Sequence, residues 1–187
     1  AGRELAFRAK PPRGAKRLLD LGGGHGLYPT AFFGRCPELM AEVLDLEPAC
    51  VVGRAVVEEA GFSDRVSFRP GDFRVDALGE GFDLVLLFNV LHNATEEEGR
   101  ALIQRAFHAL ASGGTLLIWD AKHGGDRLDA NAGWNELFFF LISGARAWSE
   151  DAMSGWCREA GFATVTSSHL LVAPTVLIRA RKGRGAS

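Results

Sequence analysis

At 187 residues the chain is long enough for one domain with a full core and too short for two ordinary ones. A composition of 47% hydrophobic and 24% charged residues excludes a disordered chain. A net charge of −2 excludes a basic field that would steer the chain onto nucleic acid or anionic lipid, and no apolar run reaches the roughly 18 residues of a membrane span.

Residues 4–10 predict a short helix stopped by Pro11 and Pro12. Residues 1–15 thus read as a helix and linker ahead of one domain over 16–182, with 183–187 as a disordered tail. "RLLDLGG" is a buried strand, followed by a helix through "LYPTAFFGR". "AEVLDLE" is a second strand, with a helix over Ala49–Ala60 that stops at Gly61. "RVSFRPGDF" is a third strand and "FDLVLLFNVLH" a fourth.

Thr95 followed by Glu98 spells a capping box, and Gly113-Gly114 a C-terminal helix stop. "TLLIWDA" is a fifth strand. Asp129–Gly144 reads as a strongly apolar helix, and Glu150–Ala160 as another that ends at Gly161. Two strands close the chain, "ATVTSSHLLV" and "PTVLIRAR", joined by a short turn near Pro174.

Strands alternating with helices require crossover connections, hence an α/β fold with a mostly parallel sheet covered on both faces. The last two strands have too little between them for a crossover and are expected to pair as an antiparallel hairpin. A dinucleotide-binding fold normally continues with parallel units to its end.

In such sheets ligands sit beyond the carboxyl ends of the strands. After the first strand come Asp20 and then Gly22, Gly24 and Gly26; after the second comes Asp45, at the distance where an acid accepts ribose hydroxyls. Asp72 and Phe73 follow the third strand, and Asn89 and His92 the fourth. The dinucleotide fingerprint G-x-G-x-x-G would place its last glycine at Leu27, whereas this loop closes one residue earlier, at Gly26. No Gly-Lys-Ser/Thr follows, which excludes a P-loop. An acid ahead of the glycines repels a pyrophosphate but suits the amino and sulfonium groups of S-adenosylmethionine. Asp20 is equally suited to supporting the loop and to touching such a ligand.

With these residues in place, the sequence resembles the class I S-adenosylmethionine-dependent methyltransferases, within them the small-molecule O-methyltransferases of the hydroxyindole, caffeate and antibiotic-biosynthesis type. The stretches "LLDLGGGHG", "VLDLEPA", "DRVSFRPGDF", "FDLVLLFNVLHNATEEEGRALI", "ALASGGTLLIWD" and "WCREAGF" carry the resemblance in order, from Lys16 to Arg181. It implies a Rossmann-like sheet of about seven strands with an antiparallel C-terminal hairpin. It also implies that Gly22, Gly24 and Gly26 close over the methionine part of the cofactor above Asp20. Asp45 would hold the ribose, Leu46 pack on the adenine, Asp72 bond the adenine amino group and Phe73 cover the ring. The backbone at Phe88-Asn89 would meet the methionine end, and His92 matches the family's general base, with Asp120 placed to orient it.

The sequence departs from the family pattern after the histidine, where an acid and a tryptophan are replaced by Asn93 and Ala94, and at Ala147, where some relatives carry a carboxylate. Full-length relatives also carry a helical N-terminal dimerisation domain. This chain starts almost at the cofactor domain, and "ELAFRAKPP" reads as the end of a connecting helix, so a homodimer is expected where such a domain precedes it. The expected reaction moves a methyl group to a hydroxyl of a small aromatic or polyketide-like acceptor, leaving S-adenosylhomocysteine and needing no metal. N- or C-methylation, or cofactor binding without catalysis, remain open; a nicotinamide oxidoreductase is disfavoured by Leu27 and the hairpin. Trp134, Phe138, Leu141 and Ile142 suit an acceptor pocket, a subunit contact or plain core. The three cysteines, odd in number and without metal-ligand spacing, fit a reduced, cytoplasmic setting.

Overall fold

The computed structural model of the protein describes residues 2–121, 147–169 and 175–185. A short helix, α1 (Gly2–Ala9), precedes β1 (Arg17–Leu21), α2 (Thr30–Phe33), β2 (Met40–Asp45), α3 (Glu47–Glu59), β3 (Val66–Pro70) and β4 (Phe82–Phe88). A 3-10 turn (Leu91–Asn93), α4 (Glu96–Ala109) and β5 (Leu110–Ala121) follow, then α5 (Glu150–Glu159), β6 (Thr164–His169) and β7 (Thr175–Arg181).

The seven strands form one sheet in the order β3-β2-β1-β4-β5-β7-β6. The first five run parallel, while β7 is antiparallel to both β5 and β6. The expected fold class and terminal hairpin are therefore present, with β7 inserted between β5 and the edge strand β6. The chain builds outward from β1 to β3, then returns to place β4 on the other side of β1. That reversal opens a crevice at the carboxyl ends of β1 and β4, where α/β sheets hold ligands.

Both sheet faces are apolar because buried parallel strands need cover on each side. Leu19, Leu21, Val85, Leu87 and Ile118 pack against Ile103 and Ala106 of α4 and Met153 and Trp156 of α5. Leu18, Val43, Leu84, Leu86 and Leu117 pack against Leu5 of α1, Phe32 of α2 and Val57 of α3. Cys36, Cys50 and Cys157 are buried free thiols. Among the described residues no helix is long and apolar enough to cross a membrane.

Several boundaries differ from expectation. The helix expected over "LYPTAFFGR" shrinks to Thr30–Phe33, since Pro29 lacks the N–H of a helix interior and Gly34 ends the turn. α3 starts at Glu47 rather than Ala49, with Pro48 in its first turn, where its missing N–H costs nothing. The capping box forms as expected, Glu98 N–H donating to Thr95 Oγ1 at 3.3 Å and Thr95 N–H to Glu98 Oε2 at 2.8 Å. Gly113-Gly114, however, is not the helix stop. α4 ends at Ala109, and both glycines lie in a bulge of β5, which pairs Leu110 with Phe82 and Thr115 with Leu84. Residues 183 and 185 bond to this bulge, Gly113 N–H donating to Gly183 O at 3.1 Å and Gly185 N–H to Ser112 Oγ at 2.8 Å. The helix expected over Asp129–Gly144 and the turn near Pro174 lie outside the described residues.

Candidate active site

The glycine loop leaves β1 at Leu21 and turns back over the sheet. Gly22, Gly24 and Gly26 all have positive φ (69°, 49° and 71°), a conformation that side chains with a Cβ resist. Packing from below also demands glycine: a Cβ on Gly26 would stand 2.5 Å from Phe68 Cζ, and one on Gly53 of α3 2.4 Å from the carbonyl oxygen of Gly24. Above Gly24 there is open space, with nothing within 4 Å of a Cβ built there. The loop is thus clamped on its inner side and open on its outer one.

Asp45, at the end of β2, completes the clamp. Its Oδ2 accepts from Gly24 N–H at 2.9 Å and its Oδ1 from Leu46 N–H at 2.7 Å. Each carboxylate oxygen carries two acceptor sites, so each retains one for a ligand hydroxyl. Asp20 behaves differently. It is wholly buried, neither oxygen has a hydrogen-bond partner among the described residues, and a Cβ on Gly23 would lie 2.3 Å from its Oδ2. It therefore lies beneath the loop without bonding the loop amides. Burial, with the like charge of Asp45 adding to it, pushes its carboxyl up to about 8.

Beside the loop runs a cleft of about 300 Å³ lined by Asp45, Leu46, Asp72, Phe73, Asn93 and Leu102 among others. The four residues expected at the nucleoside end, Asp45, Leu46, Asp72 and Phe73, thus meet in one place. Phe73 also packs on Gly22, where a Cβ would come within 3.1 Å of its ring. The state of Asp72 was not foreseen. Arg74 grips it through Nε, whose one N–H is shared between both oxygens, Nη2 and its own backbone N–H, at 2.7–3.1 Å. Those bonds hold the Asp72 carboxyl down at about 2. Three N–H groups thus compete for the four acceptor sites of Asp72, so an adenine amino group would share the carboxylate with Arg74. Arg105 reaches the same wall, donating to the carbonyl oxygens of Phe73, at 2.8 Å, and of Asp76.

At the end of β4, Phe88 is buried in the core and Asn89 is exposed in a left-handed conformation (φ 57°). Asn89 Nδ2 donates to the Tyr28 hydroxyl at 3.0 Å, and Tyr28 makes edge contacts with both Phe88 and Trp119. Sequence reasoning missed Tyr28, Arg74, Arg105 and Gly53. A lone glycine inside the helical stretch after Ala49 was the available signal for a close approach at Gly53.

His92, on the 3-10 turn, is 8% exposed, and its Nδ1 lies 2.7 Å from Asp120 Oδ1 at the end of β5. Asp120 Oδ2 accepts from the N–H groups of Val90, Leu91 and His92 at 2.8–3.3 Å. With Nδ1–H donating to a carboxylate, Nε2 becomes the basic nitrogen of the ring. Trp148 Nε1 donates to Leu91 O at 3.1 Å and holds the turn from the other side. The pair expected from the sequence is thus in contact, although His92 does not line the cleft beside Asp45. Trp134, Phe138, Leu141 and Ile142 lie outside the described residues. Among the described residues no group of three or more His, Cys, Asp and Glu side chains is arranged to hold a metal ion.

Comparison with known proteins supplies the family. The O-methyltransferase domain family matches residues 6–163. An L-tyrosine C(3)-methyltransferase from Streptomyces lavendulae is 34% identical over 108 residues, 58% of this chain and 30% of its own length. A 3-hydroxy-5-methyl-1-naphthoate 3-O-methyltransferase from Streptomyces sahachiroi is 29% identical over 153 residues, 81% of this chain and 44% of its own. The solved structure of the S-adenosylmethionine-dependent methyltransferase SibL, in its apo form, matches with a TM-score of 0.85 at 26% identity, covering 98% of this chain and 55% of that one. The chain spans less than half the length of these two curated relatives. On the matched stretch, which runs from α1 past α5, the chain belongs to the O-methyltransferase domain family.

Proposed function

We propose that this chain carries the cofactor and catalytic site of an S-adenosylmethionine-dependent methyltransferase acting on a hydroxyl of a small aromatic or polyketide-like acceptor. The observation that carries the reading is the juxtaposition, at the ends of neighbouring strands β1, β4 and β5, of a clamped glycine loop and a His92–Asp120 pair.

The residues present fit the cofactor. The open outer side of Gly24 takes the methionine part, and the two remaining acceptor sites of Asp45 take the ribose hydroxyls. Leu46 and Phe73 supply apolar cover for the adenine, and Asp72 accepts from its amino group alongside Arg74. The unpartnered acid Asp20 sits under the part of the loop that meets positive charge. When bound, S-adenosylmethionine supplies an activated methyl group and leaves as S-adenosylhomocysteine. The work left to the chain is alignment, which contributes up to about 7–11 kcal/mol in such reactions. His92 Nε2 accepts the hydroxyl proton, and Asp120 holds the ring in position. Nothing in this sequence of steps requires a metal ion. Where a further domain precedes the chain, a homodimer is the expected assembly.

The test is His92→Ala with a panel of phenols. S-adenosylmethionine affinity by calorimetry should stay near wild type while methyl transfer falls by roughly 10²–10⁴-fold. Wild-type turnover in the variant would remove His92 as base. Carbon-13 shifts of the transferred methyl separate O-methylation from the C-methylation suggested by the L-tyrosine C(3)-methyltransferase relative.

A further inference from the structure

The proposed function places Asp20 beneath the glycine loop but does not say in which protonation state it acts. Among the described residues, its two oxygens and Trp119 Nε1 are the buried side-chain polar atoms without a hydrogen-bond partner. Buried carboxylates normally have partners, because an ionised one without donors is strongly disfavoured. On the sheet Asp20 stands in register between Val43 of β2 and Leu86 of β4, both fully buried and apolar. Among the described residues the ionisable groups that act on it are Asp45, which bears like charge, and the Tyr28 hydroxyl, itself pushed up by burial. Neither offers a positive charge. Above it lies Gly23 of the loop.

We propose that Asp20 distinguishes the cationic methyl donor from its neutral-sulfur product: it is a neutral acid in the ligand-free site, ionises when a sulfonium is held over the glycine loop, and takes a proton back once that charge is gone. The inference rests on the S-adenosylmethionine reading above. It follows from charge balance at one position. An unpartnered buried acid stays protonated until enough positive charge is held over it. Donor and product share the α-ammonium and differ at the sulfur by one positive charge, so any difference between them in Asp20 ionisation reports on the sulfur. Donor binding releases the Asp20 proton to solvent. Methyl transfer then leaves a thioether, the acceptor hydroxyl's proton passes to His92 Nε2, and a solvent proton returns to Asp20. Over a full turnover the Asp20 proton cancels, and only the acceptor's proton is released. The site thereby loses its preference for the sulfur ligand at the moment the ligand must leave.

The test is isothermal calorimetry at pH 7 in two buffers of different ionisation enthalpy, with S-adenosylmethionine and S-adenosylhomocysteine titrated into wild type and Asp20→Asn. A carboxyl at about 8 is mostly protonated at pH 7. Wild type should therefore release up to about 0.9 proton more with the sulfonium ligand than with the thioether. Its preference for the sulfonium ligand should rise about tenfold from pH 7 to pH 9. In Asp20→Asn the two ligands should release the same number of protons and the preference should be flat with pH. Equal proton release by the two ligands in wild type overturns the inference, and this comparison decides it even if the variant does not fold. Binding of neither ligand removes the cofactor reading itself, a result distinct from equal release by two ligands that both bind.

Discussion

Asp120 shows how much one side chain organises. One oxygen receives three consecutive backbone N–H groups and the other receives His92 Nδ1 and the N–H of Ala121. Asp120→Asn keeps the volume but turns one acceptor into a donor, so either the turn or the histidine loses its partner. Because the group is buried, the variant should lose about 2–4 kcal/mol in urea denaturation. An acid at the end of the fifth strand made this pair legible in the sequence. The Asp72–Arg74 fork was not, because a contact between residues two apart depends on the turn geometry after β3 rather than on spacing. Arg74→Ala should raise the Asp72 carboxyl from about 2 towards its usual 3.8 without reaching it, since the backbone N–H at position 74 and Arg105 still favour the carboxylate, as read by carboxyl-carbon NMR titration. Little stability should be lost with it, since the pair is largely solvent-exposed and screened. An unchanged titration would mean that the turn's own N–H groups hold Asp72 down.

At the scale of elements, the glycine loop depends on what α3 and β3 leave unfilled. Gly53 faces Gly24 so closely that an added methyl would stand 2.4 Å from both Gly24 O and Phe68 Cε1. Alanine is the better helix former, yet here overpacking should outweigh propensity. Gly53→Ala should cost about 1–3 kcal/mol and weaken S-adenosylmethionine binding by tilting the loop off α3. Gly34→Ala is the contrast. Its φ is −68° and nothing lies within 4 Å of the added Cβ, so it should be neutral or stabilise by up to about 1 kcal/mol. Thermal melts of the two variants separate the roles. Strands and the α4 cap were legible because periodicity and capping are local. Gly113-Gly114 misled because a helix stop and a strand bulge both need glycine at positive φ. Only pairing with β4 and the tail decides between them.

For the whole molecule, alternation of strand and helix followed by a short hairpin was enough to give the sheet's direction and its closing turn back. The insertion of β7 between β5 and β6 was not readable, since pairing partners are chosen by packing across the sheet. The same global packing creates the electrostatic oddity at its centre. Asp20 moves from a usual 3.8 in an unfolded chain to about 8 in the fold, so between those values the folded state holds a proton that the unfolded chain has lost. Stability of the ligand-free protein should therefore be highest near the acid end of this window, fall as pH rises, and level off above about 8. Asp72 works in the opposite sense and elsewhere. Its lowered carboxyl stabilises the fold above 3.8, and that contribution disappears only as pH falls through about 2. The two groups do not mask each other; His25, lowered by burial, works against the decline below 6.5, so the difference between wild type and Asp20→Asn from pH 5 to pH 8.5 is what reports on Asp20. Asp20→Asn should remove most of that decline in thermal midpoints. Saturating S-adenosylmethionine should flatten the wild-type curve, because a cation over the loop returns Asp20 towards an ordinary acid. A wild-type slope identical to that of Asp20→Asn would mean that the carboxylate is already ionised under the loop before any ligand binds.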